Sequence, residues 1–296
     1  MITVRNLTKN FNGFNALDDL SFKFEGAGIF GVIGHNGAGK TTLLKILSGL
    51  IQPTGGSVNF NSIDIIKEPR KLKQKLGYLP EESQLYENMS AEAYLSFFGD
   101  IYGLSKNNIK TRTEELFNSL NLETNGKKIG EMSKGMKRKV AIARSLLHDP
   151  DFLVYDEATS GLDPMTSRYI TDYLKQLSRE GEKTIVISAH NLYQVEEISD
   201  MVLILKNGRE MAYGSMDMLR ERFGTSGFEV RFKADDAHEL CELIECTEED
   251  GIYVTIARDI DALNRITSLI PEHDGLIKKV KSRDLSLEDM LLRIEE

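Results

Sequence analysis

Short apolar runs alternate along this chain with stretches whose apolar positions recur at helical spacing. "GIFGVIG" (28–34) is apolar almost throughout and ends in glycine, the pattern of a buried strand. "TTLLKILSGLI" (41–51) predicts a helix that ends near Gly49 and Pro53, and "KLGYLP" (75–80) a strand stopped by proline. The pattern from about 84 to 148 is mostly helical. "DFLVYDEA" (151–158) then predicts a strand, "MTSRYITDYLKQLSRE" (165–180) a helix and "KTIVISAH" (183–190) another strand. "MVLILKNGREMAYG" (201–214) predicts a hairpin turning at the Asn-Gly pair 207–208. Such alternation points to an α/β fold, a mostly parallel sheet covered by helices, with a helical insertion between strands.

Beyond about residue 222 the elements shorten. "FEVRF", "GIYVTIA" and "GLIKKVKS" alternate as strands, while "DDAHELCELIE", "DIDALNRITSLI" and "SLEDMLLRI" read as helices. Ser286 and Asp289 fit a capping box for the last of these. The chain is therefore expected to divide into a large domain, 1–220, with a helical subdomain at about 84–148, and a small α+β domain, 221–296.

Charge supports that division. Residues 1–220 hold 27 basic and 27 acidic side chains, whereas 221–296 hold 10 and 19, so the net charge of −9 belongs to the last quarter. No basic footprint of the kind that holds nucleic acid is present, and no nucleic-acid partner is expected. No apolar run reaches the roughly 18 residues needed to span a bilayer. The opening "MITVRNLTKNF" has no apolar segment of the signal-peptide kind, so a cytoplasmic location is expected. Only Cys241 and Cys246 occur, too few for a disulfide framework or a four-cysteine zinc site, and both are expected to be small buried thiols.

The candidate chemistry starts at "GHNGAGKT" (34–41), which matches the phosphate-binding loop G-x-x-x-x-G-K-[ST] between a predicted strand and helix. Gly34, His35, Asn36, Gly37, Ala38 and Gly39 would wrap backbone N–H groups around phosphates, with Thr42 beside them. Lys40 would reach the β- and γ-phosphates, and Thr41 would ligate Mg²⁺. About 115 residues later a buried strand ends in Asp156 and Glu157. Asp156 is suited to hold the metal through water, and Glu157 to orient and polarise an attacking water. His190 ends the strand "TIVISAH", where open α/β sheets place ligands. "EMSKGMKRKVAIA" (131–143) offers a second helix start suited to phosphate, with Ser133 either a phosphate contact or an ordinary N-cap. Its charge run "KGMKRK" (134–139) is expected to be a solvated first turn.

Together these segments resemble the ATP-binding subunits of ABC transporters over roughly residues 1–220. Phe11 lies where that family stacks an aromatic on adenine. "GYLPE" (77–81) lies at the Q-loop, "MSKGM" (132–136) stands for the signature LSGGQ, "SGLD" (160–163) for the D-loop and His190 for the switch histidine. The resemblance implies a P-loop NTPase of ABC ATPase type that binds ATP and Mg²⁺. It implies a head-to-tail dimer, a homodimer by expectation, in which Ser133 and Gly135 meet the γ-phosphate held by the partner, with Asp163 nearby. It also implies a separate membrane permease docked near 81–103, with Leu85 or Tyr86 at the contact. That arrangement would hold the chain at the inner face of the membrane. The "YLPEE" stretch and the "SLEDMLLRI" ending resemble the exporter-type branch. Lys134, Met136 and Glu81 depart from the family pattern, the last replacing an amide that can donate with a carboxylate that only accepts. A soluble ABC ATPase of the iron–sulfur cluster assembly type, and a P-loop kinase, are the alternatives.

Overall fold

The computed structural model describes residues 1–180, 183–189, 191–224, 227–234, 238–249, 251–282 and 285–295. The chain divides into two compact units, Met1–Met216 and Asp217–Glu296.

The first unit opens with β1 (Ile2–Phe11) and β2 (Phe14–Phe24), joined by a tight Asn12-Gly13 turn with both residues at positive φ. β3 (Gly28–Ile33) leads through the glycine-rich loop into α1 (Lys40–Leu47). β4 (Gly55–Phe60), β5 (Ile63–Asp64), α2 (Pro69–Lys75) and β6 (Leu76–Leu79) follow. The helical insertion comprises α3 (Ala91–Ile101), α4 (Lys106–Ser119) and α5 (Lys134–Leu146). Each starts on a serine, at Ser90, Ser105 and Ser133, whose hydroxyl accepts an orphan N–H of the first turn. The chain returns through β7 (Phe152–Asp156), α6 (Pro164–Glu180), β8 (Thr184–Ser188), α7 (Leu192–Ile198), β9 (Met201–Lys206) and β10 (Arg209–Gly214).

Two sheets result. One is antiparallel and ordered β2-β1-β4-β5; the other is six-stranded, ordered β10-β9-β3-β8-β7-β6, and parallel except at β10. Strands β3, β7 and β8 are buried along their whole length. Alternate side chains explain why. Ile29, Leu153, Tyr155, Ile185 and Ile187 pack with the helical insertion and α6, while Phe30, Val32, Phe152, Val154 and Val186 pack with α1 and the antiparallel sheet. A strand with a core on each side reads as one continuous apolar run. The parallel strands all point their C-terminal ends the same way, so the loops after β3, β6, β7 and β8 converge.

The division falls at the start of α8 (Met216–Phe223), close to the boundary expected at 220. The second unit continues with β11 (Phe228–Lys233), α9 (His238–Ile244), β12 (Thr247–Glu249), β13 (Ile252–Ala257), α10 (Ile260–Glu272), β14 (Leu276–Ser282) and α11 (Leu287–Glu295). The antiparallel sheet β12-β13-β11-β14 packs Val230, Phe232 and Ala257 against Leu240, Ile266 and Ile270. Ser286 and Asp289 form the reciprocal capping box, Ser286 N–H to Asp289 at 3.1 Å and Asp289 N–H to Ser286 Oγ at 3.2 Å.

The cysteines differ from expectation. Cys241 and Cys246 form a disulfide across the turn from α9 to β12, with Cα atoms 4.9 Å apart. Counting cysteines excludes a framework but not one local bridge, and the helix end folds back far enough to close it.

Candidate active site

The phosphate-binding loop leaves β3 at Gly34. A Cβ there would lie 2.2 Å from the Leu205 carbonyl oxygen, at a φ of 149° that L side chains rarely adopt. Gly39, at φ 107°, caps α1, and a Cβ on it would come within 2.5 Å of the Ala16 carbonyl. Only glycine fits at either place. The Ala38 N–H closes the turn on the His35 carbonyl at 3.0 Å. Lys40 follows as the first helical residue. It is 8% exposed, and its ammonium donates to the carbonyls of Gly34 at 2.6 Å and His35 at 3.0 Å. Burial lowers its pKa, opposed by the nearby carboxylates of Glu157 and Asp156.

Those carboxylates stand at the end of β7. Asp156 is buried and accepts from the Ser188 hydroxyl of β8. Glu157 is buried too, with φ at 51°. Its N–H donates to the Ser188 carbonyl at 3.1 Å and to Ser188 Oγ at 3.2 Å. A cavity of about 520 Å³ gathers Asn36, Gly37, Gly39, Lys40, Thr41 and Thr42 with Phe11, Glu81 and Glu157. Residues from β1, the glycine loop, the segment after β6 and the end of β7 thus meet in one place. A positive side chain inside a collar of glycines, flanked by a hydroxyl and two carboxylates, fits a magnesium-bound phosphate chain. Phe14, across the hairpin turn from Phe11, lines the same cavity and was not singled out in the sequence. The Asn-Gly pair at 12–13 is the signal that would have found the hairpin.

Other predicted residues lie elsewhere. Ser133 caps α5 by accepting from the Met136 N–H at 3.2 Å, and neither it nor Gly135 lines the Lys40 cavity. Gly135 packs against Thr166 at the start of α6. Asp163 accepts from the Thr166 N–H at 2.9 Å, and hydrogen bonds from the Thr166 side chain and then its backbone hold the carboxyl below the usual range. The Lys134 ammonium lies over Gly161 of its own chain. His190 falls outside the described residues.

The expectation of a solvated "KGMKRK" turn is corrected at Arg138. This side chain is 7% exposed and turned inward, donating to the backbone of the Glu81 loop and of the β7 end. Burial lowers its pKa to about 10, against the favourable field of Tyr155, Asp156, Glu157 and Glu81. A guanidinium can be buried where carbonyl oxygens accept all its donors, and charge counting cannot distinguish that from solvation.

Beside the Glu81 loop the aromatic group divides. Tyr94 is fully buried, whereas Tyr86 is 51% exposed and stacks edge-on against it at 5.6 Å, with Phe97 also exposed. Leu85 packs partly against the core. Among the described residues no helix is long and apolar enough to cross a membrane.

The profile of the family described as "ABC transporter" matches residues 17–160. The chain is 37% identical over 227 residues to the ABC transporter ATP-binding protein NatA of Bacillus subtilis, covering 75% of this chain and 92% of that protein. It is 32% identical over 298 residues to Nod factor export ATP-binding protein I of Burkholderia lata, covering 99% and 96%. A solved dimeric ATP-binding cassette, in a post-hydrolysis state bound to ADP and Pi, superposes with a TM-score of 0.67 at 25% identity, covering 73% of this chain and 98% of that one. The glycine loop, the paired carboxylates and these likenesses agree: the chain belongs to the ABC transporter family, as an ATPase subunit of the P-loop NTPase fold.

Proposed function

We propose that this chain hydrolyses ATP as one half of a dimer and drives export through a separate membrane permease. The observation that carries the reading is the division of the site. Lys40, Glu81 and Glu157 share one cavity, while Ser133 and Gly135 stand outside it on α5. A second copy, related by a two-fold axis, would bring its own Ser133 and Gly135 to that cavity. The dimeric post-hydrolysis relative supports this arrangement. Because the Burkholderia relative matches nearly the whole chain and is named for export, it supports the direction. It also favours transport over the soluble ABC ATPase and the kinase.

In this reading Phe11, with Phe14, forms an aromatic ledge for adenine, and Gly34 to Gly39 donate backbone N–H groups to phosphate. Lys40 exchanges its two carbonyl partners for phosphate oxygens. Thr41 and Asp156 would hold Mg²⁺, which supplies charge neutralisation at the phosphates. Glu157 holds the attacking water and takes up its proton. Glu81 accepts from water near the phosphates, and His190 is assigned from sequence to the γ-phosphate. Asp163 would set the D-loop against the partner. Closure would pull permease helices seated by Leu85 and the exposed ring of Tyr86, keeping the chain on the cytoplasmic face of the membrane.

The test is Glu157→Gln. This variant should bind ATP, run as a dimer in light scattering with magnesium and ATP, and release no phosphate. A monomer under those conditions, or phosphate release at the native rate, would refute the scheme.

A further inference from the structure

Arg138 sits in the second turn of α5, one helical turn beyond Ser133, and uses its whole guanidinium on backbone. Its Nε donates to the Ala158 carbonyl at 2.8 Å. One terminal nitrogen donates to Asp156 at 3.0 Å and Glu157 at 2.7 Å. The other donates to Pro80 at 2.8 Å and Glu81 at 2.9 Å, with Ser83 Oγ at 3.4 Å. Two segments that are distant in sequence, 80–83 and 156–158, therefore share one cation carried by α5.

The bond to Glu157 bears on a strained residue. A φ of 51° is unfavourable for a side chain larger than glycine and persists only where the surroundings impose it. Ser188 holds the amide of Glu157, and Arg138 holds its carbonyl. The conformation that aims the Glu157 carboxylate at the Lys40 cavity is fixed from both sides.

We propose that Arg138 is a positioning residue: it clamps Glu157 in its left-handed conformation and ties the β7 end to the Glu81 loop, so that α5, that loop and the hydrolytic carboxylate move as one piece. This rests on the reading of Glu157 as the water-activating group. Arg138 itself does not line the nucleotide cavity. Its loss should therefore spare ATP binding and slow turnover, since a displacement of about 1 Å in a reacting group can cost 10²-fold. Lysine cannot replace it, because an ammonium has three donors and no fork to span both segments.

The experiment compares Arg138→Lys and Arg138→Ala with the native chain, measuring kcat, the KM for ATP, the affinity for a fluorescent ATP analogue, and Tm. Both variants should lose roughly 10–100-fold in kcat while KM and analogue affinity stay within about twofold. Millimolar guanidinium ion should restore part of kcat in Arg138→Ala and none in Arg138→Lys, whose ammonium fills the space. A merely structural role would lower affinity, Tm and kcat together and would not answer to guanidinium; that result overturns the proposal, as does native kcat in Arg138→Lys. Glu157→Gln, assayed beside them, separates the two ideas. Turnover in Glu157→Gln refutes the assignment of the hydrolytic carboxylate. Inert Glu157→Gln with fully active Arg138 variants refutes only the clamp.

Discussion

Lys40 is held by two carbonyls that the proposed phosphate chain would displace. Its ammonium spends two hydrogen bonds on the Gly34 and His35 carbonyls, and burial already weakens its hold on the proton. A phosphate chain would replace neutral acceptors with charged ones, worth about 1.5–3 kcal/mol per bond. Lys40→Ala should accordingly weaken nucleotide binding by about 10- to 100-fold or more, read by titration with a fluorescent ATP analogue, while Tm changes little. Unaltered affinity would remove the loop from the site. Gly34→Ala tests the other half of the loop. The added methyl meets the Leu205 backbone, which cannot swing aside as a side chain could. Nucleotide binding should be lost together with about 1–3 kcal/mol of stability, measured by denaturant unfolding. Residues of this kind were legible because their chemistry requires particular residue types at fixed spacing. Arg138 was not, since a lysine- and arginine-rich stretch has the same appearance whether its cations face water or carbonyls.

At the scale of elements, legibility followed regularity. Strands β3, β7 and β8 have a core on both faces, so their apolar runs are unbroken and stood out. β1 did not, because register shifts between Val4 and Leu7, Leu7 and Lys9, and Lys9 and Asn10 break its alternation, and Asn6 turns through a φ of 48°. The whole antiparallel sheet was missed with it. The stack of Phe60 on Phe152, 4.5 Å between centroids, joins that sheet to the parallel one. Phe152→Ala should therefore cost about 3–5 kcal/mol, seen as a lower urea midpoint. The end of α5 supplies a pH dependence. His148 stacks on Tyr102 at 3.9 Å and has one ring nitrogen 3.1 Å from the Leu76 carbonyl. Burial lowers its pKa from 6.5 to about 4, aided by Lys183 and opposed by the Leu76 carbonyl and Asp149. Between those values the unfolded chain binds a proton that the folded chain does not, so stability falls as pH drops from about 6.5 to 4. Partial exposure reduces the effect to the order of 2 kcal/mol. His148→Gln should flatten that slope in urea titrations at several pH values; an unchanged slope would place the proton elsewhere.

For the whole molecule, what matters is what one copy lacks. Each chain presents the cavity at Lys40 and, separately, the capped start of α5 at Ser133. In the proposed dimer, two copies facing head to tail would repair both deficits at once, since a two-fold axis makes the two seams identical. Turnover per chain should then follow mass action, rising with protein concentration and levelling off when most chains are paired. Near-neutral charge over residues 1–220 leaves little net repulsion between the faces that would meet, so raised salt should shift this curve only slightly. Ser133→Arg, which places a long charged chain at the seam, should abolish the concentration dependence by removing turnover altogether. It should leave binding of the ATP analogue intact, because the Lys40 cavity is untouched. Mixing that variant with inert Lys40→Ala gives the decisive case. A mixed pair joins an intact Ser133 from one chain to an intact Lys40 from the other, at one of its two seams. If one such seam suffices, mixing two inactive proteins should restore measurable phosphate release. Sustained silence in the mixture, with mixed pairs demonstrated by crosslinking, would mean that both seams must fire together.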